Sequence, residues 1–304
     1  MPARTAYRLC PQAIFLPPRF EVYRAVSSQV MAIFKSVTAL VEPLSLDEAY
    51  LDITSQVCDF LEAEQLARII KERIRTETGL MASAGVSFNK LLSKLGSDAR
   101  KPDGLTVITP EQAPAFLDAL PVEKFFGVGK VTAAALRTHG ILTGADLRQM
   151  SKEQLWELLG SRGSLLYRHA RAEDDRPVEP VRERKSVGKE VTLERDITDR
   201  VQMMAILADL AEQVERRLAD LGLEARTLSL KVRWSDFQLI TRSVSRAQGF
   251  RHAAEMLPVL HTLLFQLGSE PRAVRLLGVF VSNLRRESSS QIESITPLTL
   301  WNDV

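Results

Sequence analysis

The chain has 304 residues, of which 45% are hydrophobic and 26% are charged, and its length favours about two or three domains rather than one. Lysines and arginines number 40 against 38 acidic residues, and the formal net charge of +2 does not by itself indicate a nucleic-acid partner. With two cysteines and no uncharged stretch long enough to cross a membrane, the sequence excludes a disulfide scaffold and a transmembrane span. The composition therefore predicts a soluble, cytoplasmic protein without a membrane partner.

The first part of the chain alternates helix and strand signals. Tyr23, Val26 and Val30 recur at helical spacing, and Gly79 can end a later helix that contains Leu66. In chain order, the predicted elements are a helix over 20–38, two extended pieces within 44–53, a helix around 66–74, a strand over 81–87, a helix over 89–99 and a strand over 105–109. Interleaved strands and helices indicate an α/β or α+β layer.

From 111 to 169 the strand signals disappear, and short helical runs separated by glycines predict a small all-helical domain. The next stretch, 171–184, is charged, contains two prolines and lacks apolar periodicity, so we interpret it as an interdomain linker. In chain order, the elements predicted after it are a strand over 185–192, a helix over 201–218, strands over 227–234 and 239–244, a helix over 250–267 and a strand over 274–284. The order β-α-β-β-α-β predicts one sheet packed against two helices.

An acidic pair lies inside the run SLDEAYLD at 45–52. Neighbouring residues of a straight strand point to opposite faces, so Asp47 and Glu48 can converge only at a turn or a strand end. There their carboxylates would suit a hard divalent cation. A plain acidic hairpin tip is the alternative, and the spacing alone favours it.

Glycines precede a predicted helix in the run FFGVGK, which contains Gly127, Gly129 and Lys130. Backbone N–H groups at the start of a helix form a cradle for phosphate, and a glycine that packs two helices closely is an equal alternative. Lys101 precedes a Pro-Asp-Gly turn. It either binds a phosphate or is simply an exposed side chain beside the turn, and the second interpretation is the default. The four histidines show no metal-binding spacing, and no hydrolase motif is present.

Basic residues concentrate on two predicted strands within the near-neutral total. Lys231 and Arg233 alternate with apolar residues in one strand, and the next strand adds Arg242 and Arg246. We expect these four side chains on one face of the sheet, where they would suit a phosphate backbone. A solvated outer face explains the charges equally well.

Together these segments resemble the Y-family translesion DNA polymerases of the DNA polymerase IV type. The stretches that match run through nearly the whole chain and are LCPQAIFLPPRFEVY, EPLSLDEAYLDIT, ASAGVSFNKLLSKLGSDARKPDG, FFGVGKVTAAAL and RKSVGKE. The SLDEAYLD and NKLLSKLGSDARKPDG runs are specific, whereas the GVG turn alone is not. The resemblance implies an α+β, multidomain fold with an incomplete palm sheet, a small helical thumb containing a helix-hairpin-helix, and a βαββαβ little finger.

The resemblance also implies how the chain divides into domains. The implied segments are a remnant of the fingers at 1–18, a catalytic palm at 19–110, a thumb at 111–176, a linker at 177–184, a little finger at 185–286 and a tail with a clamp-binding tip at 287–304.

The implied activity is error-prone, template-directed DNA synthesis in repair and damage tolerance, in which two Mg²⁺ ions assist nucleotide transfer from dNTP to the primer 3′-hydroxyl. Asp47 and Glu48 would be the catalytic metal ligands, and Ser45 and Lys101 would bind the nucleotide. The implied DNA-binding residues are Gly127, Gly129, Lys130, Lys185, Ser186, Lys231, Arg233, Arg242 and Arg246. The residues that resemble the core of a tail binding the sliding clamp are Leu298, Leu300 and Trp301. A monomer with primer–template DNA, dNTP and the clamp as partners is expected.

The sequence departs from the family pattern at its first residues. Family members have the first metal-binding aspartate on an N-terminal strand, whereas no acidic residue precedes Glu21 here. We therefore expect a truncated gene, or a start codon assigned at an internal methionine, and weak or no activity of these residues alone. A non-catalytic DNA-binding remnant and an unrelated two-metal nuclease or cyclase are the alternative hypotheses.

Overall fold

The structure is a computed structural model that describes residues 1–181, 183–268 and 272–286. The chain divides into two compact units, Met1–Arg182 and Glu183–Val304, each of which has its own arrangement of strands and helices. Across the described ranges, no helix combines the length and the apolar character needed to span a membrane.

The first unit begins as a layer of strands and helices and continues as a group of short helices. The layer contains α1 (Ala3–Leu9), α2 (Phe20–Val37), β1 (Val41–Pro43), β2 (Ala49–Leu51), α3 (Phe60–Thr78), β3 (Ala84–Ser87), α4 (Lys90–Ala99) and β4 (Leu105–Ile108). The short helices are α5 (Ala113–Asp118), α6 (Lys130–Thr138), α7 (Gly144–Gln149), α8 (Lys152–Leu159) and α9 (Ser161–His169), with a 3₁₀ turn at Val122–Lys124. The predicted alternation of helices and strands is confirmed, and α1 is a helix that the sequence pattern did not indicate.

The strands of this layer form two separate pairs. β1 and β2 are antiparallel, with Val41 opposite Leu51. β3 and β4 are parallel, with Ala84 opposite Leu105. Among the described residues no ladder of backbone hydrogen bonds joins the two pairs, so each remains a two-stranded sheet.

Capping residues fix both ends of α3 and the start of α4. Asp59 accepts a hydrogen bond from the N–H of Glu62 at the start of α3, and Gly79 ends that helix in the left-handed conformation, with φ of +71°. Asn89 caps α4 in the same way, by accepting from the N–H of Leu92. The predicted end of α3 at Gly79 is confirmed.

α4 lies against β3 at a contact that only glycine permits. A Cβ atom at Gly85 would lie 2.0 Å from the carbonyl oxygen of Ser93 and 2.5 Å from the amide nitrogen of Ser97. A Cβ atom at Gly96 would in turn lie 3.2 Å from the Cα of Gly85. The close approach therefore positions the charged face of α4 beside the two strand pairs.

The short helices share an apolar core with α4. Thr143 and Ser151 form capping boxes with Asp146 and Gln154 at the starts of α7 and α8. The larger members of the core are Leu91, Leu92, Leu117, Phe125, Leu136, Leu147, Leu155 and Leu166. The helical character predicted for 111–169 is confirmed.

The second unit is one antiparallel sheet with two helices on one face. Its elements are β5 (Ser186–Ile197), α10 (Arg200–Leu221), β6 (Leu223–Trp234), β7 (Leu239–Phe250), α11 (Ala253–Phe265) and β8 (Val274–Arg286), and the strands lie in the order β5-β8-β6-β7. Leu228, Leu230 and Val232 of β6 are buried with residues of both helices in a core of their own. The predicted β-α-β-β-α-β order is confirmed, although β5 and β7 run beyond their predicted ends.

The segment 172–179, which we call the strap, lies along the start of α4. The side-chain amide of Asn89 donates to the carbonyl oxygen of Ala172 at 2.8 Å. The backbone N–H of Leu91 donates to the carboxylate of Asp174 at 2.9 Å. The strap therefore accepts hydrogen bonds from polar groups at the start of α4.

The far end of the strap reaches β1. The ammonium of Lys90 donates to the carbonyl oxygen of Pro177 at 3.0 Å and to the carboxylate of Glu42 at 2.5 Å, and the N–H of Glu179 donates to that carboxylate at 2.8 Å. The strap therefore packs on α4 and β1, and the composition of 171–184 did not predict these contacts. Its contacts are polar, so a search for apolar periodicity could not find them.

Candidate active site and nucleic-acid interface

An open cleft of about 2030 Å³ runs through the strand layer of the first unit. Its apolar lining comes mainly from α2 and α3 and includes Val22, Val26, Val30, Phe34, Ala67, Ile70 and Ile74. β2 and β3 line the same cleft, as do Asp47, Glu48 and Lys101. Three of the residues expected at the catalytic and nucleotide sites therefore share one cleft.

The acidic pair lies on the turn that joins β1 to β2. The N–H groups of Leu44 and Ser45 donate to the carbonyl oxygen of Glu48, at 2.8 and 3.3 Å, and so close the turn. Asp47 and Glu48 consequently precede the regular part of β2. This is the turn placement that the sequence requires for a converging pair.

Ser45 holds the carboxylate of Asp47 and does not itself line the cleft. Its hydroxyl donates to Oδ1 of Asp47 at 2.5 Å and accepts from the N–H of Asp47 at 3.2 Å. The serine predicted at the nucleotide site thus acts on the acidic pair in this structure.

Glu48 is one end of a chain of alternating charges. Nζ of Lys94 lies 2.7 Å from Oε1 of Glu48 and 3.6 Å from Oδ2 of Asp98. Nζ of Lys101, at the other end, lies 2.6 Å from Oδ1 of Asp98. We call Glu48, Lys94, Asp98 and Lys101 the ion-pair chain.

The charges of this chain shift the pKa values of its two inner members, Lys94 and Asp98. Burial alone would lower the pKa of the Lys94 ammonium, but its hydrogen bond to Glu48 and the charge of Asp98 raise it above the ordinary value. Burial alone would raise the pKa of the Asp98 carboxyl, but the hydrogen bond and charge of Lys101, with the charge of Lys94, bring it below the ordinary value. Each ionised group therefore stabilises its neighbours.

Sequence reasoning missed Lys94 and Asp98. The signal was the spacing of charges along α4 and the turn after it, at 90, 94, 98 and 101, because residues three or four apart lie on one side of a helix. The run NKLLSKLGSDARKPDG contains both residues, but the family resemblance implies a role for Lys101 alone.

The chemistry of the donors at the turn is that of a hard-cation site. Within the described ranges, however, no group of three or more His, Cys, Asp or Glu side chains is arranged to hold a metal ion. Asp52 also lines the cleft, but its carboxylate accepts hydrogen bonds from the N–H and hydroxyl of Thr54. Asp47 and Glu48 are therefore the acidic donors that the turn itself offers.

The glycine turn before α6 does not line the cleft. Gly127 has φ of +85°, which favours glycine, and Gly129 is the N-cap of α6. A Cβ atom at either position would meet no atom within 4 Å, and Lys130 is exposed. A glycine needed for close packing has a near neighbour, so the open surroundings favour a phosphate cradle at this turn.

The open face of the second unit is the side of its sheet opposite α10 and α11. Ser229, Lys231 and Arg233 lie on it, between the buried positions of β6. Ser186 of β5 pairs with Ser282 of β8 in the same sheet, and Lys185 just before β5 is exposed. Nζ of Lys231 lies 2.6 Å from Oε2 of Glu190, so an acidic partner already offsets this charge.

The register of β6 and β7 corrects the expected single basic face. Arg242 pairs with Leu230, and directly paired residues of antiparallel strands lie on the same face. Arg246 lies beyond Ser245, where the pairing of β6 and β7 becomes irregular, and its guanidinium lies 4.7 Å from the ring centroid of Phe250. The prediction that Arg242 shares a face with Lys231 is wrong, because alternation within one strand does not reveal its register with the next.

Comparison with known proteins places the chain in a family. Residues 1–98 match the impB/mucB/samB family, 110–141 match the HHH motif of the IMS family, and 184–294 match the C-terminal domain of the impB/mucB/samB family. DNA polymerase IV of Clostridium perfringens is 48% identical over 284 residues, or 93% of this chain and 79% of the relative. That of Alkalilimnicola ehrlichii is 50% identical over 284 residues, or 93% of this chain and 80% of the relative. The chain belongs to the Y-family DNA polymerases of the DNA polymerase IV type.

A solved structure supports the membership independently. A Y-family DNA polymerase chimera of Dbh and Dpo4 is similar with a TM-score of 0.86 and 28% identity, over 94% of this chain and 83% of the chimera. The expected fold class is thereby confirmed, with a palm, thumb and little finger, and so is the enzyme class by family, a DNA-directed DNA polymerase. Leu298, Leu300 and Trp301, the expected clamp-binding residues, lie outside the described residues.

Proposed function

We propose that this chain carries out error-prone, template-directed DNA synthesis past damaged positions, in DNA repair and damage tolerance. The observation on which the proposal depends is that one cleft contains both the acidic pair and Lys101. Transfer of a nucleotide requires negative ligands for a metal ion and a positive charge near the triphosphate. Primer–template DNA and dNTP are then the substrates.

Magnesium is the metal that fits the acidic pair. Mg²⁺ prefers oxygen ligands and is usually held by one or two carboxylates together with phosphates of the substrate. Asp47 and Glu48 supply two such carboxylates on a turn that lines the cleft. We propose that both hold Mg²⁺, and that two ions are bound when the triphosphate contributes its own oxygens.

The residues of the cleft have separate tasks in nucleotide transfer. When bound, the metal favours deprotonation of the primer 3′-hydroxyl and stabilises charge on the phosphates. Asp47 and Glu48 would hold the metal ion at the turn. Ser45 fixes the carboxylate of Asp47 through its hydroxyl. Lys101 neutralises the triphosphate once it exchanges its bond to Asp98 for a phosphate oxygen.

The proposed DNA contacts lie on both units. In the first unit, the N–H groups of the turn at Gly127 and Gly129 and the charge of Lys130 would bind a backbone phosphate. In the second unit, the open face and the residues at the start of β5 would follow the duplex, with Lys185, Ser186, Lys231 and Arg233 as contacts. Arg242 lies on the other face and is not part of that surface.

The remaining features of the proposal concern the cell and the assembly. We propose a cytoplasmic monomer that binds primer–template DNA, and a sliding clamp through the tip at 298–301. The proposed domain bounds are those of the palm at 19–110, the thumb at 111–176 and the little finger at 185–286.

A second candidate function is a non-catalytic DNA-binding remnant. One observation favours it, namely that the described residues offer no group of three acidic or other metal-binding side chains. Loss of a single preorganised group that stabilises charge in a transition state typically costs about 100-fold or more in rate. A polymerase should extend a primer and a non-catalytic remnant should not, whereas both should bind DNA.

Primer extension with Mg²⁺ and four deoxynucleotides separates them. On the polymerase proposal we expect the chain to extend a primer weakly, and we expect Asp47→Asn and Glu48→Gln to lower that rate by about 100-fold or more. Glu64→Gln, which removes an exposed ion pair on α3, is the matched control and should leave the rate unchanged. Binding of primer–template without extension would support the remnant and reject the polymerase proposal for this chain.

A further inference from the structure

We infer that Lys94 is a resident counter-cation of Glu48, and that Asp98 is the carboxylate that receives Lys94 when a metal ion binds to Glu48. The inference rests on the proposed function, because it takes Glu48 as a metal ligand. Lys94 and Asp98 would touch neither metal nor substrate. They are positioning residues that decide when Glu48 is available.

The geometry places the Lys94 ammonium between two carboxylates. It lies 2.7 Å from Glu48 and 3.6 Å from Asp98, so a short movement exchanges the nearer partner for the farther one. The Lys94 side chain is only 19% exposed, against 39% for Glu48 and 50% for Asp98. The lysine is thus the most enclosed member of the group and has a carboxylate on either side.

Electrostatics makes the exchange necessary. A divalent cation bound to Glu48 would repel an ammonium that stays in contact with the same carboxylate, because like charges at this separation interact strongly. Lys94 must therefore withdraw as the metal binds. A partly buried ammonium without a partner is costly, and Asp98 removes that cost because it lies four residues further along α4 on the same side.

Lys101 connects this exchange to the nucleotide. Its ammonium lies 2.6 Å from Oδ1 of Asp98 and Lys94 faces Oδ2, so the two lysines share the negative charge of one carboxylate. When a triphosphate engages Lys101, Asp98 becomes available to Lys94, and Glu48 becomes available to the metal. Metal and nucleotide therefore favour each other's binding through Asp98, and this coupling is reciprocal.

Binding of Mn²⁺ to the full chain tests the exchange without nucleotide or catalysis. The free ion is followed by electron paramagnetic resonance, and circular dichroism checks that each variant is folded. Since one ion pair of this exposure is worth about 0.2–1 kcal/mol, we expect Asp98→Asn to weaken Mn²⁺ binding by roughly 1.4- to fivefold. Lys94→Met and Lys101→Met should each strengthen it by a similar factor, because the first frees Glu48 and the second frees Asp98.

The decisive comparison is a double-mutant cycle. In the Lys94→Met background there is no ammonium to receive, so Asp98→Asn should no longer change Mn²⁺ binding. Asp103→Asn is the matched control, since Asp103 also lines the cleft but pairs with Lys71 at 3.1 Å. An equal effect of Asp98→Asn in both backgrounds, or an effect no larger than that of Asp103→Asn, would mean a general field effect and would overturn the inference.

A further variant separates this inference from the proposed function. Glu48→Gln should weaken Mn²⁺ binding whether or not the exchange exists. If it does so while the cycle shows no coupling, the exchange is rejected and the metal-binding role of Glu48 stands. If Glu48→Gln leaves Mn²⁺ binding unchanged, both the metal-binding role and the exchange are rejected.

Discussion

Gly85 determines how closely α4 approaches β3. A Cβ atom there would lie 2.0 Å from one backbone oxygen and 2.5 Å from a backbone nitrogen of α4, and backbone cannot rotate away as a side chain can. We expect Gly85→Ala to reduce the free energy of unfolding by about 1–3 kcal/mol, the usual cost of overpacking. Urea denaturation of the folded chain measures this loss.

Gly129 provides the matched control for that substitution. The same added Cβ would meet no atom within 4 Å there, and its φ of −87° suits alanine. Gly129→Ala should cost less than about 1 kcal/mol, because only a preference at the N-cap is lost. Equal losses of free energy of unfolding for Gly85→Ala and Gly129→Ala would show that the contact between α4 and β3 is not as close as described.

Among the elements, α4 depends on the strap for its first turn. The Asp174 side chain is 3% exposed, accepts a hydrogen bond from Leu91, and binds Arg176 through contacts of 2.6 and 2.8 Å. Removing a charged hydrogen-bond partner costs about 1–3 kcal/mol, so we expect Asp174→Asn to lower the free energy of unfolding by that amount at pH 7. Asp175→Asn, at a neighbouring side chain that is 89% exposed, should cost less than about 1 kcal/mol.

This contribution of Asp174 should depend on pH. Burial alone would raise the pKa of its carboxyl, but hydrogen bonds and the charge of Arg176, with the amide of Leu91, bring it below the ordinary 3.8. A lowered folded-state pKa means that the stabilisation is complete above 3.8 and is lost as the pH falls through the folded value. The difference in free energy of unfolding between wild type and Asp174→Asn should therefore become smaller between pH 7 and pH 3. A constant difference would mean that the stabilisation does not come from the ionised carboxylate.

Elements were predictable from sequence to the extent that their signals are local. The helix ended by Gly79 and the acidic turn at Asp47 depend on residues close in sequence, and both were found. The contacts of the strap were not predicted, because Asp174 and Leu91 are 83 residues apart in sequence and meet through polar groups without periodicity. Pairings of this kind depend on tertiary contacts, which composition and spacing do not reveal.

At the scale of the whole molecule, the candidate site also depends on tertiary contacts that composition and spacing do not reveal. Motifs identified Asp47, Glu48 and Lys101, and the structure adds Lys94 and Asp98 between them. Sequence alternation gave the faces of β6 but not its register with β7. The two units have separate cores, and each presents one surface suited to the proposed activity: a cleft with paired charges in the first, and an open sheet face with hydroxyl and basic groups in the second.

The corrected register allows a test of which surface of the second unit binds DNA. Lys231 and Arg242 are basic residues on adjacent strands, and they lie on opposite faces of one sheet. If duplex lies on the open face, Lys231→Gln should weaken binding of primer–template and reduce the slope of log affinity against log salt by about 1. The loss of affinity should be enhanced because Glu190, 2.6 Å from Lys231, would then face phosphate without a partner. Arg242→Gln removes the same charge from the helix-covered face and should leave the slope unchanged. The reverse pattern, with an effect at Arg242 and none at Lys231, would place DNA on the other side of the sheet.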